Sequence, residues 1–264
     1  MSATVPKAVI YTSPKRSLYV GKLEPVLKRA NVNATLLVST GEDLTLLSAS
    51  GKPLVHRKSL LVPAGLDISI ATRNANIAVF FLDDLGADFA TLIPQMKSAT
   101  TYDNGQTILS GLRHEKDIIT HANFLSKTRP SSDEVFTMVE SCIGYSAAAH
   151  TPLTDERVAK AVRLIRENCQ DNMSVAQIAE QVNLSVPRLI QIFKQVTGTP
   201  IRRFRLWQRI FVTACKLAEG LSLTEAALAA GFADYAQFSR VYKELAGGSP
   251  AAAKNNTEIR VSAG

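Results

Sequence analysis

The chain has 264 residues, of which 30 are Lys or Arg and 23 Asp or Glu, giving a formal net charge of +7. Hydrophobic residues make up 46%, enough for one large core or two small ones, which excludes wholesale disorder. No apolar run reaches the ~18 residues of a membrane span, and Met1–Lys7 lacks the basic-then-apolar pattern of a signal peptide, so a cytoplasmic protein is expected.

Leu23–Ala30 reads as a short helix ahead of a run of strands. Ala34–Ser39, Asp43–Ser48, Lys58–Val62, Ile68–Ala71 and Asn76–Leu82 are short segments rich in Val, Ile, Leu and Thr, the composition of strands. Turn chemistry separates them: Thr40-Gly41-Glu42, Ala49–Pro53, Pro63-Ala64-Gly65 and Arg73–Asn76, the last including Asn74. Strands at this spacing predict a small antiparallel barrel or sandwich. His56 and Arg57 read as a surface pair. After residue 85 the period changes. Phe89–Met96 and Glu134–Ile143 have helical spacing, the second opening at Ser132 with Val135, Met138, Val139 and Cys142 on one stripe. That helix could pack on its own barrel or against a second copy of the chain. The small, loose stretch 147–153 reads as a linker between a domain at 1–146 and one at 154–252.

From Thr154 on, every segment reads as helix. Thr154 precedes a helix to Cys169, and Ser174 with Gln177 forms a capping-box sequence before Val175–Gln181. Ser185 opens a helix closed by Gly198, with Pro187 in its first turn. Ile201–Glu219 is the long one. Ser222 with Glu225 and Asp234 with Gln237 mark two further starts, and the tail 253–264 is expected to fray.

Charge divides unevenly between the halves. Residues 1–150 carry a net +2 and residues 151–264 a net +5. Between Gln181 and Ala218 there is no acid, while Arg188, Lys194, Arg202, Arg203, Arg205, Arg209 and Lys216 fall inside. Such a stretch is either a solvated basic face or one turned toward a polyanion. Cys142, Cys169 and Cys215 stand far apart, and His56, His114, His121 and His150 show no HxH or HExxH spacing. Neither a disulfide framework nor a metal or other cofactor is expected, and no catalytic constellation stands out.

Two helical segments repeat one pattern. Ser174, Gln177, Ala179, Val182, Ser185, Leu189, Phe193, Lys194 and Gly198 can be laid on Ser222, Glu225, Ala227, Ala230, Asp234, Phe238, Tyr242, Lys243 and Gly247, with one extra residue in the second turn. Each copy reads as helix, short turn, second helix. Leu189 with Phe193, and Phe238 with Tyr242, share a buried face and leave a polar or small face opposite. This is helix-turn-helix geometry, whose second helix enters the DNA major groove.

The segment 154–252 resembles the DNA-binding domain of AraC/XylS-type transcriptional regulators. The resemblance rests on Ile178-Ala179, Ser185, Leu189, Phe193-Lys194, Gly198, Phe204 and Arg209, then Ser222–Glu225, Gly231-Phe232, Asp234, Phe238–Arg240, Tyr242-Lys243, Gly247 and Pro250. It implies an all-α domain with two helix-turn-helix motifs joined by a long helix, behind a mainly-β, cupin-like N-terminal domain with flanking helices. It also implies base reading from Pro187, Arg188, Ile190 and Gln191 in the first copy, and from Tyr235, Gln237, Ser239 and Arg240 in the second. Arg188, Gln191, Gln237 and Arg240 are the side chains able to form discriminating hydrogen bonds. Ser185, Lys194, Arg202, Arg203, Arg209 and Lys243 are the phosphate candidates. Ala226-Ala227, and Ala-Ala-Ala-Lys after Pro250, depart from the family pattern.

The function expected is sequence-specific regulation of transcription, with double-stranded DNA and RNA polymerase as partners and no enzymatic activity. Control through the N-terminal half is open between a small-molecule effector and a regulatory protein or homodimer. A DNA-binding module fused to a cupin-type enzyme is the remote alternative.

Overall fold

The computed structural model describes residues 8–73, 75–103, 105–144, 155–171 and 173–262. The linker expected at 147–153, and the Thr154 cap, lie outside the described residues.

Nine strands come first: β1 (Ala8–Thr12), β2 (Ser17–Lys22), β3 (Val26–Asn31), β4 (Thr35–Ser39), β5 (Leu44–Leu47), β6 (Pro53–Arg57), β7 (Ser59–Val62), β8 (Leu66–Ala71) and β9 (Asn76–Phe81). Helix α1 (Ala87–Leu92), a 3-10 turn (Ile93–Gln95), β10 (Met96–Thr101), β11 (Thr107–Leu112), α2 (Glu115–Thr128) and α3 (Ser132–Ile143) follow. The larger sheet runs β10-β11-β7-β4-β9-β2-β1, and the smaller one runs β3-β8-β5-β6.

The period-2 pleat explains why the central strands are apolar on both faces. Leu36, Val38, Ala78 and Phe80 face a core shared with α2 and α3, including Ile118, Leu125, Val135 and Val139. Their neighbours Leu37, Ile77 and Val79 face the second core between the sheets, against Leu46, Leu66, Ile68 and Ile70. Helix α3 therefore packs on its own barrel through Val135, Val139 and Ile143, all buried. His56 is exposed on β6, with its Nδ1 2.9 Å from Thr45 Oγ1. At one end of the barrel Asp88, fully buried, accepts from Arg16 Nε and Nη2 at 2.6 Å each, and Arg16 also reaches Glu140 of α3 at 3.0 Å.

One expectation is overturned here. Leu23–Ala30 is not a helix: Val26–Asn31 is strand β3, paired antiparallel with β8 over six residues from Val26↔Ala71 to Asn31↔Leu66. Leu27 and Arg29 turn inward while Val26 and Lys28 turn out, so cross-strand pairing overrides the helix-prone composition.

The helical part comprises α4 (Glu156–Glu167), α5 (Val175–Gln181), α6 (Val186–Thr197), α7 (Ile201–Ala218), α8 (Leu223–Ala229), α9 (Tyr235–Ala246) and α10 (Pro250–Asn256). A second correction concerns the tail. Instead of fraying, residues 257–261 form β12 (Thr257–Val261), which joins the free edge of the larger sheet parallel to β1, from Ala8↔Thr257 to Thr12↔Val261.

The two parts are docked. Ala30 and Val32 enter the core of Ala227, Phe232, Phe238 and Leu245, and Phe81 packs on Trp207 with ring centroids 5.1 Å apart. Asp84, at the end of the barrel, is buried against Arg166 of α4, Asn33 and Gln208 of α7. Burial raises its pKa to about 6, more than Arg166 and Asn33 lower it, with Asp83 adding to the rise. A carboxylate whose folded pKa lies above its unfolded value binds protons more tightly in the fold, so its contribution to stability falls as pH rises from about 4 to about 6. Thermal unfolding of the Asp84→Asn variant should lack this component. The wild type should gain stability relative to the variant as pH falls through that window, and parallel pH profiles would contradict the assignment.

Candidate nucleic-acid interface

The two helix-turn-helix units are built alike. In the first, Ser174 caps α5: its Oγ accepts from the Gln177 N–H at 3.1 Å, and its own N–H donates to Gln177 Oε1 at 2.8 Å. In the second, Ser222 and Glu225 do the same for α8. These boxes satisfy donors that a helix start otherwise leaves open. Ser185 then caps α6 and Asp234 caps α9, each accepting from the third residue along.

The turns need a left-handed residue. Asn183 takes φ +55° in the first and Gly231 takes φ +87° in the second. Asparagine tolerates that region, but a Cβ at Gly231 would stand 2.9 Å from the Gln170 carbonyl and 3.3 Å from Arg209 Nε. Both recognition helices end on left-handed glycines, Gly198 at φ +73° and Gly247 at φ +85°.

Each second helix is seated by aromatic packing. Leu189 and Phe193 are fully buried, and Phe193 meets Phe204 of α7 edge-on at 5.3 Å. Phe238 of α9 packs between Phe232 at 5.3 Å and Tyr242 at 5.7 Å. Ala226 and Ala227, where the family pattern is departed from, are both fully buried. Helix α7, 18 residues long, spans about 27 Å at 1.5 Å per residue and carries one unit at each end.

This packing decides what faces outward. On α6, Pro187, Arg188, Ile190, Gln191 and Lys194 are exposed, Ile190 at 44%, and Arg188 Nη1 donates to Gln191 Oε1 at 2.9 Å. On α9, Arg240 and Lys243 are exposed, while Tyr235, Gln237 and Ser239 are half-buried. Tyr235 leans on Phe238 at 6.1 Å, and Gln237 Oε1 accepts from the Ala233 N–H at 2.8 Å. Ser185 and Arg202 are exposed at the two ends of the α6 unit.

Two phosphate candidates are placed elsewhere. Arg209 is buried at 9% exposure, and its Nε donates to the Cys169 carbonyl at 3.0 Å, tying α7 to the end of α4. Burial, reinforced by neighbouring Arg205, lowers its pKa. Arg203 pairs with Asp67 of β8 at 3.1 Å and with Glu244 of α9 at 3.6 Å, so in this docked state it serves the contact with the barrel. Both fall within the acid-free stretch, where composition alone does not separate inward from outward positions on a helix.

Sequence reasoning missed a cavity of about 280 Å³ between the barrel and the helices, lined by Tyr19, Leu27, Arg29, Phe81, Trp207 and Tyr242 among others. Arg29 is its notable member. It is 6% exposed, its guanidinium lies 4.9 Å from the Phe81 ring centre, and Nη2 donates to Asn31 Oδ1 at 2.8 Å and Thr35 Oγ1 at 3.1 Å. Its Nε has no hydrogen-bond partner, and desolvation lowers its pKa to about 10. The sequence signal was hidden because Arg29 fell in the segment read as a helix.

Two capped helix-turn-helix units on one connecting helix, with exposed polar and basic second helices, define a double helix-turn-helix DNA-binding domain. A family model described as a helix-turn-helix domain matches residues 178–256. The arabinose operon regulatory protein of Escherichia coli is 36% identical over 118 residues, covering 42% of this chain and 39% of that protein. Its Salmonella typhimurium counterpart is 36% identical over 107 residues, covering 38% and 36%. The chain thus matches about two fifths of the length of these relatives. Over that stretch the chain is similar to AraC-type regulators. For the architecture as a whole, apo ToxT from Vibrio cholerae is similar with a TM-score of 0.59 at 14% identity, covering 92% of this chain and 97% of that one. ToxT with an unsaturated fatty acid bound gives 0.53 at 15% identity, covering 94% of each. At these identities the likeness is one of fold: a mainly-β N-terminal part followed by a double helix-turn-helix domain. Among the described residues no helix is long and apolar enough to cross a membrane.

Proposed function

We propose that the protein is a sequence-specific regulator of transcription, without enzymatic activity of its own, which reads DNA with α6 and α9 in successive major grooves. The observation that carries this reading is the repetition itself: two units with the same caps, the same buried aromatic seat and outward-facing Arg188, Gln191 and Arg240. Sequencing of genomic DNA recovered with the protein, followed by footprinting, tests it; protection without sequence preference would count against it. Arg240→Ala should lose about 1–3 kcal/mol of binding and relax preference at one base position. Lys194→Ala should weaken all sequences alike and lower the salt slope by about 1. RNA polymerase is the further partner we propose.

We further propose that a small molecule in the interdomain cavity sets the DNA-binding state. Arg29 is a buried cation in a mostly aromatic and aliphatic cavity, with neutral hydrogen-bond acceptors around it. Such a site suits an apolar carboxylic acid whose head reaches the guanidinium, and the structurally similar ToxT has been solved with an unsaturated fatty acid bound. A thermal-shift series with saturated and unsaturated fatty acids tests it, because a ligand at 100 times its Kd adds about 2.7 kcal/mol of stability. Stabilisation should fall away in Arg29→Met. An equal response in that variant would displace the anchor from Arg29.

A further inference from the structure

The docked arrangement holds the two recognition helices by their C-terminal ends, one on the β7–β8 turn and one on β3. Gly198, ending α6, sits on the Ala64-Gly65 turn: a Cβ there would lie 3.1 Å from Ala64 Cβ, and one added at Gly65 would collide with the Gly198 carbonyl. Gly247, ending α9, sits on β3, where a Cβ would lie 2.5 Å from Leu27 Cδ1 and 3.0 Å from the Lys28 carbonyl. These two seats are close together. Gly65 donates its N–H to the Asn31 carbonyl at 2.7 Å, and Asn31 is three residues along β3 from Lys28. The docked state also occupies Arg203, a phosphate candidate, with Asp67 and Glu244.

What closes this arrangement is β12. It runs on from α9 and α10, packs against α7, and adds itself to the larger sheet beside β1. Its side chains are pinned to the barrel's helices. Arg260 Nη1 donates to the carbonyls of Arg129 at 2.6 Å and Pro130 at 2.9 Å, and Ser262 Oγ lies 2.6 Å from Asp133 Oδ1. Glu258 faces both Arg129 and Arg260, at 3.7 and 2.7 Å. The Ser262 N–H donates to the Thr12 carbonyl at 2.8 Å, extending the ladder past the strand.

We propose that β12 is an autoinhibitory latch: paired with β1, it holds the helical domain on the barrel, where Arg203 is paired with Asp67 rather than a phosphate and the C-terminal ends of α6 and α9 are covered. DNA binding then requires its release, and the apparent affinity is reduced by the fraction of molecules in which it is engaged. The proposal rests on the DNA-binding reading above. The test compares the wild type with a chain ending at Asn256 and with Arg260→Ala, which keeps the strand and removes its anchor to Arg129 and Pro130. Binding to a 40-base-pair duplex is measured by fluorescence anisotropy at low salt, with hydrogen exchange of the 257–262 peptide in free and DNA-bound wild type. The truncated chain should bind roughly tenfold or more tightly and Arg260→Ala to an intermediate degree, and β12 amides should lose protection when DNA is added. Equal or weaker binding by the truncated chain, or unchanged β12 protection in the complex, would overturn the latch. A wild type and truncated chain that both fail to bind duplex would overturn the DNA-binding reading and the latch with it.

Discussion

Replacing Phe193 by Ala is expected to destabilise the helical domain by about 3–5 kcal/mol and to abolish reading by the first helix-turn-helix unit. The ring is fully buried and sits edge-on to Phe204, between the recognition helix and the connecting helix. It belongs to the core that Val158, Val162, Ile178, Leu189 and Ile201 form from α4, α5, α6 and α7, so the void would open in the core these helices share. The cost combines lost transfer energy with a void that rigid neighbours cannot fill. Denaturant unfolding monitored by circular dichroism measures it. Footprinting should show the half-site under α9 retained longer than the one under α6. A loss below about 1 kcal/mol would mean that the four helices can collapse into the space, and would contradict the packing described.

Asp88→Ala should cost the barrel a similar amount, about 3–5 kcal/mol. Its carboxylate is fully buried and receives both Nε and Nη2 of Arg16, an 11% exposed side chain, as well as the Asp83 N–H at 3.1 Å. Removing it leaves the guanidinium facing Glu140, which is 48% exposed and screened by solvent. The damage should spread, because this cluster joins the β1–β2 turn to α1 and α3. Asp88→Asn retains the shape and one acceptor oxygen but loses the charge and sets an NH2 against one guanidinium N–H, and should fall between wild type and Asp88→Ala. If Asp88→Asn were as stable as the wild type, hydrogen-bond geometry rather than charge would be what holds Arg16.

The helical half was legible because its signals are local. Ser174 with Gln177, Ser222 with Glu225, and the stops at Gly198 and Gly247 are short-range devices, and the structure uses each as its residue type suggests. The strands β4 and β9 were legible for a different reason. They are buried on both faces, and their nearly unbroken apolar runs survive without long-range information. By contrast, β3 and β12 exist because of what they pair with. Val26–Asn31 holds two charged residues in six, and Thr257–Val261 has no more apolar content than a surface loop. Nothing within either segment announces β8 or β1 as a partner. The site divides the same way. That α6 would show Arg188 and Gln191 outward follows from helical period once Leu189 and Phe193 are inside. That Arg203 and Arg209 would be taken up by Asp67 and Cys169 follows from tertiary contacts that charge counting does not see.

Gly198 and Gly247 carry a consequence for how this chain can vary. Each glycine gives its recognition helix a place to stop, and each is also the surface on which the barrel rests. A side chain at either position would lengthen or strain the helix end and push the sheet away in the same act. Mutation there cannot adjust the docking of the two halves without also altering the end of a recognition helix. Variation in how tightly the halves dock is therefore channelled to the partners of these glycines, Ala64 on one side and Leu27 on the other, where size can change while both helix ends keep their shape.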